Sequence, residues 1–351
     1  AQSPQSIPMT PDLFDVLVID EATQCTVTNI LPLVFRAKRL VVIGDSEQLP
    51  AIPHVGPAAE AQLATKCDVD EETLNILGHA QNDVYRAALR CLSGGRHDVI
   101  ALEEHYRSHP LIIGFANRHV YQTALRLRTD PAHVSALPFG SAVHRRNVRG
   151  HCMRGEHNTS WQNPEEIAAV CQLVTELTQA PELKGLSIGV VTPFRAQMDK
   201  IAASTGSLDR VTVGTAHTYQ GDERDIMIFS PVVAKGIEPS AARWVENPKN
   251  LVNVAVTRAR KALFVVADFD VCREQTGILG DHVKYVDTVE KLRQTSQEEL
   301  ELFSWMMVQG WSPVVHHIER DIEIDFVLTH EGHRLAIEVD GDQHDHTKEQ
   351  D

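Results

Sequence analysis

The sequence predicts an α/β protein built on doubly wound parallel sheets, with a smaller α/β segment of different character at its C-terminus. Three observations predict it. Short, nearly unbroken apolar runs at residues 14–19, 40–43, 186–191, 226–229 and 262–267 read as parallel strands buried on both faces. Amphipathic helical stretches alternate with them. From Ser296 onward the pattern changes to one helix and two strands of period two. A chain of 351 residues, 42% of them hydrophobic, can bury two or three cores.

The elements follow in order. Residues 14–52 read as strand, helix, strand. A looser helical stretch comes next, acidic from Asp68 to Glu72. His105-Tyr106-Arg107 then precedes Pro110, which suits the first turn of a helix carrying Ile112, Ile113, Phe115 and Ala116 inward. Residues 126–163 are polar and irregular, and predict a loop or insertion. Residues 165–177 predict an amphipathic helix. The strand at 186–191 ends at Thr192-Pro193-Phe194-Arg195, where the next helix starts. Val211-Thr212-Val213 leads into a polar run from Gly214 to Glu223. A strand at 226–229, a helix at 250–260 and a strand at 262–267 complete the pattern, and residues 268–295 predict a linker with a short helix.

The ends of the first two strands carry chemistry. One ends in Asp20-Glu21, the other in Gly44-Asp45, with Gln48 just beyond. Open α/β sheets bind their ligands at the carboxyl ends of the strands. Acids from two neighbouring strands at that edge imply a nucleoside triphosphatase. Asp20 would hold Mg²⁺ through its water shell, Glu21 would orient and polarise the attacking water, and Gln48 would sense the γ-phosphate.

A formal net charge of −15 argues against an indiscriminate basic coat for nucleic acid, though not against a local groove. Arg126, Arg128, Arg145, Arg146, Arg149 and Arg154 cluster, and read either as such a groove or as a solvated loop. Six scattered cysteines without C-x-x-C spacing argue against a zinc ribbon or an iron–sulfur cluster and suit free thiols in a reducing cytoplasm. No stretch has membrane-spanning length, and no signal peptide is evident.

DEATQ at Asp20 and GDSEQLPA at Gly44 resemble motifs II and III of superfamily 1 helicases. HYRSHP, SIGVVTPFRAQ, VGTAHTYQGDERD and NVAVTRAR resemble the later motifs, through motif VI, in the family's order. The pattern is similar to the subgroup of the nonsense-mediated-decay RNA helicase and its DNA-acting relatives, over about residues 13–268. The resemblance implies ATP and Mg²⁺ between two RecA-like domains, the first truncated to its second half at residues 1–98, the second at 99–270. It implies arginine fingers at Arg107 and Arg258, and ribose contact by Glu223, beside Gly221. It implies nucleic-acid contact by Thr192, Pro193, Phe194, Thr215, His217 and Gln220. Arg260 reads as a structural or surface arginine. The family's phosphate-binding loop, G-x-x-x-x-G-K-[ST], does not occur in these 351 residues, and Gly94-Gly95-Arg96 is no substitute. The expectation is therefore a C-terminal portion of a longer helicase that lacks its N-terminal half, with a degenerate paralogue as the alternative.

Beyond a linker at 271–295, Ser296 opens a helix with Leu300, Phe303 and Met307 on one face, ended by Gly310. Two strands then flank a tight turn at Gly332. If the turn is the two-residue Glu331-Gly332, Asp325 lies opposite Glu338 and Glu323 opposite Asp340, and four acids share a face. A divalent cation would relieve their repulsion. Residues 296–351 resemble part of a PD-(D/E)xK, restriction-endonuclease-like domain of the very-short-patch repair type. That resemblance implies Mg²⁺ or Mn²⁺ held by Asp325, Glu338, Asp340 and Glu299, with His344 a proton carrier. The combined expectation is an ATP-dependent helicase on single-stranded or forked DNA, fused to a metal-dependent endonuclease. The alternatives are an RNA helicase of the decay type, or an ATPase-dead nucleic-acid-binding protein.

Overall fold

A computed structural model describes residues 7–92, 99–129, 137–155, 160–206, 208–219, 221–246, 249–320 and 322–339. The chain divides into two compact units between Leu102 and Glu103.

In the smaller unit, β1 (Leu17–Ile19) and β2 (Leu40–Val42) pair in parallel, Leu17 opposite Leu40 and Ile19 opposite Val42. Between them runs α1 (Val27–Val34). Then come α2 (Pro57–Lys66), α3 (Glu71–Leu77) and α4 (Val84–Cys91). Asp70 and Asp83 cap the last two by accepting from Thr73 N and Arg86 N. Ile19, Ala22, Val27, Ile30, Val84 and Ala87 form the core. The expectation of strands buried on both faces is corrected here. Val18 is 57% exposed and Val41 45%. The sheet has two strands among the described residues, and its packed side chains all join the core that α1 and α4 help to build.

The larger unit opens with β3 (Glu104–His105), α5 (Pro110–His119), β4 (Arg126–Leu127), β5 (Val143–Asn147), β6 (Met153–Arg154) and β7 (Trp161–Gln162). It continues with α6 (Pro164–Gln179), β8 (Ile188–Thr192), α7 (Arg195–Thr205), β9 (Val211–Thr215) and β10 (Arg224–Phe229). Then follow α8 (Pro239–Glu246), α9 (Asn250–Thr257), β11 (Ala259–Ala267), α10 (Phe269–Arg273) and α11 (Ile278–Thr295). The five-stranded sheet runs β5-β11-β10-β8-β9, all parallel. On one face Ile188, Val190, Ile226, Ile228, Ala262 and Val266 pack with Val170, Leu173 and Leu177 of α6 and Ile201 of α7. The alternate residues, among them Met227, Phe229, Leu263 and Val265, are equally buried. Such double coverage is why these strands read as continuous apolar runs.

Two expectations fail in this unit. Residues 126–163 are no mere insertion, because β5 joins the main sheet, Val143 opposite Leu263. Its sequence, VHRRN, hides this. As an edge strand it buries Val143 and His144, while Arg145 and Arg146 reach Asp287 and Glu176 at 2.8 and 2.7 Å. Residues 271–295 are no linker either. In α11, Ile278, Leu279, Val283, Val286, Val289 and Leu292 are buried, an i, i+3, i+4 stripe diluted by polar residues.

The C-terminal segment belongs to the same unit. α12 (Gln297–Val308) starts where Ser296 Oγ accepts from Glu299 N, and Gly310, at φ +77°, follows its end. It packs on α5 so closely that a Cβ on Gly114 would lie 2.9 Å from Met307 Cε. An antiparallel sheet of β12 (Val314–Glu319), β13 (Ile322–His330) and β14 (His333–Ile337) follows, β12 being absent from the sequence expectation. The β13–β14 register is the expected one, Phe326 opposite Ile337 and His330 opposite His333. Glu331 and Gly332 both have positive φ, 49° and 81°, as a two-residue I′ turn demands.

Candidate nucleotide and nucleic-acid sites

In the smaller unit the chain leaves β1 through Asp20 and enters a left-handed conformation at Glu21, φ 50° and ψ 41°, before a 3-10 turn at Ala22–Gln24. A non-glycine residue there costs roughly 1–2 kcal/mol, a strain that concentrates at functional sites. Two hydrogen bonds hold the bend: Glu21 N donates to Asp20 Oδ1 at 2.9 Å, and Gln24 Nε2 to Glu21 Oε2 at 2.8 Å. Beyond β2, Gln48 Nε2 donates to Asp45 Oδ2 at 3.1 Å. Since β1 and β2 are paired neighbours, Asp20, Glu21, Asp45 and Gln48 flank one sheet edge. The Asp20 carboxylate is exposed at that edge, which fits outer-sphere contact with Mg²⁺.

The larger unit separates its expected residues onto two edges of its sheet. Thr192 and Thr215 are paired neighbours at the carboxyl end of β8 and β9. Thr192 is fully buried, Phe194 is 8% exposed, and His217 is half-buried. The turn after β9 is pinned by Tyr219, whose hydroxyl donates to Thr212 O and accepts from Val190 N. Gly221, at φ +73°, lets the chain swing back toward β10. Gln220 lies outside the described residues.

At the opposite edge, Glu223 precedes β10 and Arg258 precedes β11, joined by Arg224 N donating to Arg258 O at 3.0 Å. Arg258 is 2% exposed. Glu223 draws two guanidinium groups together: Arg107 Nε at 2.5 Å and Arg260 Nη1 at 3.6 Å. Arg260, expected as a structural or surface arginine, is half-exposed and shares Glu223 with Arg107. The turn bearing Arg107 is fixed by two neutral histidines. His105 Nε2 accepts from Ser108 N at 2.9 Å, and His109 Nδ1 accepts from Leu111 N at 3.2 Å. Burial pushes both down to about 4, with the Arg107 charge adding to the effect on His105. Both therefore stay acceptors at neutral pH.

The basic cluster is neutralised within the chain. Besides Arg145 and Arg146, Arg126 meets Glu103, Arg128 meets Glu104, Arg149 meets Asp270 and Arg154 meets Glu238, at 3.0–3.3 Å. The six arginines do not form an open phosphate track.

The acids expected at the C-terminus are only partly assembled. The register sets Asp325 level with Glu338, one step beyond the last ladder pair, and Asp325 Oδ2 accepts from Val339 N at 2.8 Å. Glu299 is drawn elsewhere: its Oε2 meets His316 Nε2 at 2.8 Å, and His316 Nδ1 meets Glu323 Oε1 at 2.9 Å. Asp340 and His344 lie outside the described residues. Among the described residues no three histidine, cysteine or acidic side chains could hold a metal ion. These donors do not by themselves fit the expected metal. The cysteines are all free; burial pushes Cys152 up to about 12 and Cys272 also upward, so neither is a nucleophile. No helix among the described residues is long and apolar enough to cross a membrane.

One AAA domain model matches residues 5–54 and another matches residues 85–270, the latter more than half the chain. Similar proteins include Helicase SEN1 of Saccharomyces cerevisiae, 27% identical over 72% of this chain and 11% of that protein. The 5'-3' DNA helicase ZGRF1 of Mus musculus is 28% identical over 82% and 14%. The Regulator of nonsense transcripts 1 homolog of Arabidopsis thaliana is 27% identical over 79% and 22%. The chain thus spans only about a tenth to a quarter of each of these three. Because an AAA domain model matches more than half of its residues, the chain belongs to the AAA domain family.

Proposed function

We propose that this chain forms the nucleotide-hydrolysing and strand-gripping part of a helicase that acts on DNA. The observation that carries the reading is the convergence of the Arg107 and Arg260 guanidinium groups on Glu223, at the sheet edge where the Arg258 backbone bonds Arg224. An arginine's planar fork suits the equatorial oxygens of a transferring phosphoryl group. Bound Mg²⁺-ATP would bring the γ-phosphate whose growing charge these groups neutralise. Before nucleotide arrives, Glu223 holds Arg107 and Arg260 in place. Within the smaller unit, Glu21 is set by its strained backbone and by Gln24 to orient water, and Asp20 would hold the metal. In a protein that supplies the missing phosphate-binding loop to this chain, Arg258→Ala should lower kcat by roughly 10³-fold with little change in nucleotide binding. The 351 residues alone should hydrolyse ATP negligibly. Strong ATPase activity from them, or an indifferent Arg258→Ala, would refute this reading.

A second activity, metal-dependent cleavage of DNA by the C-terminal segment, would need Asp340 to join Asp325 and Glu338, which the register sets level with each other. An RNA substrate for the helicase is the alternative, and parallel binding assays with DNA and RNA strands discriminate the two.

A further inference from the structure

We propose that a pocket framed by Trp161, Phe194 and Trp244 receives one unpaired nucleobase of a bound single strand, an inference that rests on the nucleic-acid reading above and deepens it. The pocket measures about 270 Å³. Three separate stretches build it: β6 and β7 bring Arg154 and Trp161, the end of β8 brings Phe194, and α8 brings Trp244 with Glu238 just before it.

Its chemistry selects a flat, uncharged ligand. The Arg154 guanidinium lies 4.3 Å above the Trp161 ring and is paired with Glu238 at 3.0 Å. That is the one cation among the described lining residues, and Glu238 neutralises it, so the pocket offers little to a phosphate. The Phe194 and Trp244 rings stand 5.3 Å apart at 44°, a tilted pair with one open side. α8 buries Ala242, Val245 and Glu246 yet leaves Trp244 44% exposed. A large aromatic ring left open beside two buried ones is a stacking platform, and every base has a face to stack. Ser160 and Glu238 stand at the rim, where hydrogen bonds to a base edge can form.

Position supplies the second argument. Phe194 follows Thr192, whose strand neighbour is Thr215, so the pocket opens at the carboxyl edge of the sheet, where such folds take their ligands. A backbone running along that edge would lay a base on the open face of Trp244 while its phosphates stay outside.

The test uses the whole 351-residue chain and a short, fluorescein-labelled single strand, in DNA and in RNA, each beside an abasic strand of equal length. Binding is read by anisotropy. Trp244→Ala should weaken binding of the base-bearing strand about tenfold, from loss of one stack, and leave the abasic strand unaffected. Trp244→Phe should restore most of the loss, and tryptophan emission should be quenched by the base-bearing strand alone. Equal weakening for both strands, or unchanged binding of the base-bearing strand in Trp244→Ala, overturns the pocket while leaving the nucleic-acid reading in place. No binding of any strand by the unaltered chain overturns both.

Discussion

Replacing Glu166 by glutamine should make the stability of the larger unit rise more steeply with pH. Glu166 is fully buried at the start of α6. Its Oε1 accepts from Ser230 Oγ at 2.6 Å and Val232 N at 3.0 Å, and Oε2 accepts from Asn163 Nδ2 at 3.3 Å. Burial outweighs these bonds and pushes the carboxyl up to about 7. A folded-state value above the unfolded one means stability is full below about 4.5 and is lost as pH rises through about 7. Between pH 5 and pH 8 the loss comes to roughly 2 kcal/mol, at about 1.4 kcal/mol per unit.

Histidines in the same unit act with the opposite sign. Burial pushes His105, His109 and His144 down to about 4 and His282 to about 3. Their stability is full above about 6.5 and is lost as pH falls toward those values. Taken together, these four histidines outweigh Glu166, so the five groups raise stability from pH 5 to pH 8. Glutamine keeps the shape of the side chain but sets its amide against the Asn163 amide, at a cost of about 1 kcal/mol that does not vary with pH. The check is a series of urea melts across that interval. The two curves should diverge by roughly 2 kcal/mol, the glutamine variant climbing faster. Parallel curves would refute a titrating Glu166.

Two further outcomes are expected. Asp325→Ala should abolish Mn²⁺-dependent nicking of plasmid DNA if residues 296–351 act as a nuclease, with DNA binding intact; nicking that survives, or that EDTA does not stop, would leave the hairpin a structural element. Glu331→Asn should stabilise the chain by about 0.5–1 kcal/mol in a denaturant titration, because asparagine tolerates the positive φ at the first I′ position better than glutamate.

The sequence alone determined whatever depends on neighbours along the chain. Alternating Ile322, Ile324, Phe326 and Leu328 with a Glu331-Gly332 turn left one register open to β13 and β14, since a slip of one residue would reverse every side chain. Buried parallel strands such as β8 and β10 were legible because both of their faces are apolar. The acids at the ends of β1 and β2 were legible for the same reason, as polar stops to apolar runs. Only the tertiary structure decided what depends on distant partners. β5 is a strand because the main sheet lends it an edge and because Arg145 finds Asp287, far along the chain. The basic cluster fits a groove or a solvated loop equally by sequence, and only the fold pairs each arginine with its carboxylate. Glu299 looked like a metal ligand until the fold set His316 against it. The Trp161–Phe194–Trp244 pocket joins three stretches that no periodicity links. Local patterns record which way a side chain points, but a charge or a ring acquires its role from what the fold packs against it.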